Sequence, residues 1–159
     1  MTRVFVAAGG NIAPEEKLPQ ALRGLRDAFG ELLVSPCYAN AAFGFSGADF
    51  HNLVVGFDTA LELPAVLARL HAIEADCGRE REAPKWAPRA MDLDVLLYGE
   101  LVGEFPGAIL PRPDLVKRAY MLGPLADIAP ELHHPVQGRT IGELWAAFDR
   151  SDWRPRVVA

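Results

Sequence analysis

Apolar and polar positions along this chain switch between two spacings, and the switching lays out its elements. The run Val4-Phe5-Val6-Ala7-Ala8 is short, apolar and rich in strand formers, which predicts a buried first strand. After Pro14, Leu18, Ala21, Leu22, Leu25, Ala28 and Phe29 recur at helical spacing, predicting a helix that ends near Gly30. Residues 31–38 and Phe50–Thr59 read as a second and third strand, paired as a hairpin. Leu63-Pro64 opens a second helix with Val66, Leu67, Leu70, Ile73 and Glu74 along its inner stripe, and Gly78 closes it. An apolar strand then runs from Asp92 to Tyr98. Beyond it come a weaker strand-and-turn region at 100–110 and a short helical segment through Arg118, which Asp114 is expected to cap. An apolar helix at 119–126 and an amphipathic helix at 141–148 follow, and the tail after Arg150 is expected to be loosely held.

The order β-α-β-β-α-β with trailing helices fits an α+β, ferredoxin-like sandwich. Its sheet is mostly antiparallel, its helices pack on one face, and extra helices sit at the C-terminal end. With 159 residues, a single domain spanning 1–159 is the natural reading.

Composition narrows the function. A net charge of −5 argues against a nucleic-acid-coating protein, so any basic surface is local. Cys37 and Cys77 are too few and too unpatterned for a disulfide scaffold or a cysteine metal site, and read as buried thiols in a reducing compartment. No charged-then-apolar leader precedes the first strand, and no apolar run reaches about 18 residues. A cytoplasmic protein without a membrane partner is expected.

The chemistry gathers at 79–98. Asp92 and Asp94 alternate with Leu93 and Val95, so both carboxylates point to one strand face, roughly 7 Å apart. Arg79, Arg81, Lys85 and Arg89 lie just upstream. Carboxylates for a hard cation beside guanidinium groups for phosphate oxygens suggest metal–nucleotide work; a purely structural reading has the aspartates paired with Arg79 or Arg89. Trp86 sits in a polar loop, either as a stacking face or in local packing. Gly9-Gly10-Asn11 reads as a turn, either a tight connection or a close approach to a ligand. The aperiodic segment 39–49 carries Phe43 and Phe45, as a lid or as core. Asn52 shares a strand face with Phe50 and Val54, and its amide suits the edge of a planar heterocycle or a strand-end backbone group. The adjacent His133 and His134 point apart on any regular element and make a poor metal pair.

The pattern Arg79-x-Arg81-x4-Trp86-x-Pro88-Arg89-x2-Asp92-x-Asp94-Val95-Leu96-Leu97-Tyr98 resembles the signature of the 6-hydroxymethyl-7,8-dihydropterin pyrophosphokinase family. Gly9-Gly10-Asn11, Phe50-x-Asn52, Leu110-Pro111-x-Pro113, Arg118-x-Tyr120 and His134-Pro135 extend the likeness over nearly the whole chain. The family moves a diphosphate from ATP to a pterin hydroxymethyl oxygen and releases AMP. The resemblance implies two Mg²⁺ ions on Asp92 and Asp94, and ATP as co-substrate. Arg79, Arg81, Arg89 and Arg118 would contact the triphosphate, and His71 and Glu74 fall where the family touches ATP. Arg112 stands where the family has a histidine near ATP. Asn52 would hydrogen-bond the pterin, with Phe43, Phe50 and Tyr120 around its ring and Trp86 closing over both substrates. Loops 79–90 and 39–49 are then expected lids, and the chain a monomer. The pattern departs at Asn40-Ala41 (for Thr-Pro), Arg112 and Tyr120 (for Phe). Two alternatives are a relative with another pterin-like acceptor and a module that binds without turnover; the intact Asp-x-Asp argues against the second.

Overall fold

A computed structural model describes residues 1–40, 49–78 and 90–158. Its chain order is β1 (Thr2–Gly10), α1 (Pro14–Phe29), β2 (Leu33–Val34), β3 (Cys37–Asn40), β4 (Phe50–Thr59), α2 (Leu63–Asp76) and β5 (Asp92–Tyr98). There follow β6 (Gly103–Phe105), β7 (Ala108–Leu110), a 3-10 turn (Pro113–Val116), α3 (Ala119–Ile128), α4 (Ile141–Ala147) and β8 (Arg156–Val158). The main sheet runs β5-β1-β4-β3-β8, with β2 also paired to β4, and its pairings are antiparallel. This is the ferredoxin-like α+β arrangement that the strand and helix order predicts.

Alternation of side chains builds a core on each side of the sheet. Val4, Val6 and Ala8 of β1, Leu53 and Val55 of β4, and Leu93 and Val95 of β5 face α1 and α2. There they meet Leu18, Ala21 and Leu25 of α1 and Val66, Leu70 and Ile73 of α2. Phe5, Ala7, Val54 and Leu96 point the other way, against Met121, Leu122 and Leu125 of α3 and Ile141 of α4. The extra C-terminal helices therefore cover the second face. Leu25, Leu70 and Leu125 are each 0% exposed, and cutting any one to alanine is expected to cost about 2–5 kcal/mol.

Four local expectations are corrected. Gly9 and Gly10 are not a turn but the end of β1, opposite Asn52 and His51 of β4, and the left-handed residue lies later, at Ala13. The predicted strand over 31–38 is two short pieces. Pro36 interrupts it, and Ser35 mends the gap by accepting the Val54 N–H on its hydroxyl at 2.9 Å. Asp114 does not cap the segment after Pro113; Arg112 holds the cap position and no side chain closes it. The tail is held rather than loose, because Cys37, Tyr38 and Ala39 pair with Val158, Val157 and Arg156.

Candidate active site

Strand register carries the predicted residues to one place. Asp92 pairs with Gly9 of β1, Gly9 with Asn52 of β4, and Asn52 with Tyr38 of β3. These four positions form one row across the sheet, on the face that also carries Asp94, Ala7 and Val54. Opposed residues share a face, so the two aspartates and the Asn52 amide look toward α3 rather than α1 and α2.

Two side chains of the row are braced by hydrogen bonds. The Asn52 amide is 8% exposed and donates through Nδ2 to Asn40 Oδ1 at 2.9 Å. The Tyr38 hydroxyl donates to Asp127 Oδ2 of α3 at 2.5 Å, and its ring lies 5.8 Å from that of Trp153. Burial first, and the Asp127 hydrogen bond second, push the Tyr38 phenol up to about 12. Asp92 and Asp94 are half-buried. Leu93 between them donates its N–H to Glu74 Oε2 at 2.8 Å, which fixes the start of β5 from α2.

The edge of β5 opens into a cavity of about 140 Å³, lined by His71, Glu74, Asp94, Val95, Ile109 and Arg112. Arg112 reaches it because its own N–H is bonded to Leu96 O at 2.9 Å. Its guanidinium lies 3.5 Å from Asp94 Oδ1 and 3.6 Å from Asp114 Oδ2, with Nε buried. Tyr120, at the start of α3, packs against the second core within the field of this group. Burial raises its phenol, and Arg118 and Arg112 oppose Asp114 and Asp94 around it.

The structure thus gathers Asp92, Asp94, Arg112 and Tyr120 at one end of the row and Asn52 two strands away, with His71 and Glu74 at the β5 edge. Glu74 is buried at 6% exposed, so it braces a strand as well as lining the cavity. Phe50 opens β4 and is half-buried, and Arg118 precedes α3. Phe43, Arg79, Arg81, Lys85, Trp86 and Arg89 lie outside the described residues, as do most of both predicted lids. His134 serves the backbone: its Nδ1 accepts the Val136 and Gln137 N–H groups, both at 3.1 Å. Gly9, which the sequence suggests as part of a turn, and Asn40, visible there only as a departure from the family pattern, both lie directly beside Asn52.

Among the described residues no group of three His, Cys, Asp or Glu side chains gathers to hold a metal by itself. The donor set still fits Mg²⁺, which takes one or two carboxylates and completes its shell with water and phosphate oxygens. Two half-buried carboxylates on one sheet face, with Asp94 at the rim of a cavity, meet that requirement.

The pattern defining the 7,8-dihydro-6-hydroxymethylpterin-pyrophosphokinase family matches residues 5–130. The chain belongs to this family. It is 41% identical over 153 residues to the 2-amino-4-hydroxy-6-hydroxymethyldihydropteridine pyrophosphokinase of Pseudomonas aeruginosa, covering 91% of each chain. To the protein of that name from Synechocystis it is 36% identical, over 91% of this chain and 75% of that one. Among solved structures it resembles the HPPK-DHPS of Plasmodium falciparum, with a TM-score of 0.72 at 13% identity over 91% of this chain. The chain spans only 43% of that Plasmodium protein, and the likeness there is one of fold. As a pyrophosphokinase-family member the chain is an enzyme, an ATP-dependent diphosphotransferase.

Proposed function

We propose that this pyrophosphokinase uses Asp92, Asp94 and Asn52 to join a nucleotide site to a pterin site across the row described above. The reaction moves the terminal diphosphate of ATP to the hydroxymethyl oxygen of 6-hydroxymethyl-7,8-dihydropterin, a step of folate biosynthesis. The acceptor oxygen bonds to the β-phosphorus, the bond from that phosphorus to the oxygen bridging it to the α-phosphate breaks, and AMP leaves while the hydroxyl proton is lost. The observation that carries the reading is the shared sheet face of the Asp92–Asp94 pair and the Asn52 amide.

Asp92 and Asp94 would hold two Mg²⁺ ions together with the triphosphate. When bound, Mg²⁺ neutralises charge on the phosphate oxygens. The side chains do the rest by position: no nucleophilic residue is needed, because such transfer depends on in-line placement and charge stabilisation. Arg112 and Arg118, with Arg79, Arg81 and Arg89, would contact the phosphates, and His71 and Glu74 the nucleotide. Asn52 would hydrogen-bond the ring edge, flanked by Phe50, Phe43 and Tyr120, with Trp86 over both substrates. The protein would work in the cytoplasm as a monomer of one domain.

The test is AMP formation from ATP, Mg²⁺ and hydroxymethyl-dihydropterin. AMP is expected with all three together and with no pair of them; a complete mixture yielding none overturns the assignment. Asp94→Ala should abolish turnover while circular dichroism stays native.

A further inference from the structure

Gly9 and Asn52 face each other across β1 and β4, and the Asn52 amide fills the space between them. A Cβ placed on Gly9 would stand 2.2 Å from Asn52 Oδ1 and 3.3 Å from its Cγ, far inside contact distance. Backbone conformation gives no reason for glycine here. Gly9 lies inside β1, outside the positive-φ region, where a glycine weakens a strand. What the missing side chain provides is room for one placement of the Asn52 amide. That placement is closed from the other side by Asn40, whose Oδ1 takes the Nδ2 hydrogen at 2.9 Å.

We propose that Gly9 is a positioning residue for the acceptor: by carrying no side chain it holds the Asn52 amide over β1, turned toward the Asp92 end of the row. The inference rests on the reading that Asn52 binds the pterin, and adds the device that fixes its orientation. Gly9 also pairs with Asp92 on its other flank, so the bare position lies between the acceptor amide and the carboxylate. A methyl group there displaces the amide and breaks its bond to Asn40.

A neighbouring glycine supplies the control. A Cβ on Gly56 of β4 would meet Phe5 Cε1 at 2.7 Å, a comparable collision in the same strand pair, but against a core ring away from Asn52.

The experiment measures binding of 6-hydroxymethyl-7,8-dihydropterin in the presence of Mg²⁺ and a non-hydrolysable ATP analogue, and of the analogue alone. The variants are Gly9→Ala, Asn52→Ala, the double variant and Gly56→Ala. Gly9→Ala and Asn52→Ala should each weaken acceptor binding about tenfold, the worth of one oriented hydrogen bond. Analogue binding should be unchanged, and the double variant no weaker than Asn52→Ala alone. The Asn52 side-chain amide resonances should move in Gly9→Ala and stay put in Gly56→Ala. Weakening by Asn52→Ala but not by Gly9→Ala overturns the role of Gly9 and leaves the site reading standing. No effect of Asn52→Ala removes that reading, and this inference with it. Additive losses in the double variant also overturn it. Should Gly9→Ala fail to fold, the double variant must recover folding, since removing the amide removes the collision; if both fail, the inference is wrong.

Discussion

Glu74 Oε2 accepts the N–H of Leu93 at 2.8 Å, and Leu93 is the residue between the two aspartates. A carboxyl group on α2 therefore sets the part of β5 from which Asp92 and Asp94 project. Removing it leaves a buried N–H unpaired, which costs about 1–3 kcal/mol. Glu74→Ala is expected to lower stability by that amount in urea titration and to weaken Mn²⁺ binding. Glu74→Gln, which keeps a carbonyl acceptor, should lose less on both counts.

Arg112 lies between Asp94 and Asp114 on a backbone fixed to β5. On the proposed reading of Arg112 as a phosphate contact, a side chain this exposed should matter more for nucleotide than for folding. Arg112→Ala is expected to weaken ATP-analogue binding about tenfold, with acceptor binding and the thermal midpoint nearly unchanged. Calorimetric titration of each ligand checks the split.

His134 is buried, and burial lowers its pKa below the ordinary 6.5. The unfolded chain then binds more protons than the folded one in the window just under 6.5, so stability must fall as pH drops through it. The neutral ring is also what accepts from Val136 and Gln137. Thermal midpoints taken from about pH 7.5 down to 5 should decline more steeply for the wild type than for His134→Asn, which keeps an acceptor but does not titrate.

Burial raises the Cys37 thiol to about 11 and also raises that of Cys77, and neither is in a disulfide. Thiolate is the reactive form, so both should be nearly inert to a disulfide reagent in the folded protein at about pH 8. In denaturant both should react at once; prompt reaction of the native protein would contradict the burial.

The sequence made the main elements readable, because strand and helix spacing survive in Val4–Ala8, in the α2 stripe and in Asp92–Tyr98. Asp92, Asp94 and Asn52 could be picked out one at a time by residue type and alternation. That Asp92 and Asn52 belong to one row, with Asp94 on the same face, could not, since the register between strands so far apart is settled by tertiary pairing. The Gly9-Gly10 pair misled for a related reason: a double glycine usually signals a turn, whereas Gly9 makes room for a side chain on another strand. The tail misled because its strand, Arg156–Val158, is only three residues long and follows a polar, arginine-rich stretch, and its reason to stay lies in β3. Arg112 was visible as a cation; its placement against Asp94 needed the Leu96 hydrogen bond.

One consequence of the row concerns what this scaffold can be changed into. Asp92, Gly9 and Asn52 sit on successive strands of one ladder, so their spacing comes only in steps of about 4.8 Å. No small drift of the backbone can lengthen the reach from carboxylate to amide by half an ångström without breaking strand pairing. A shift of register by one residue would instead swap Asn52 for Leu53 and present an apolar side chain where the amide now stands. On the proposed reading of the site, adaptation to a different alcohol is therefore channelled away from the floor, toward the Phe50 and Tyr120 side chains, which can change size while the backbone pairing stays.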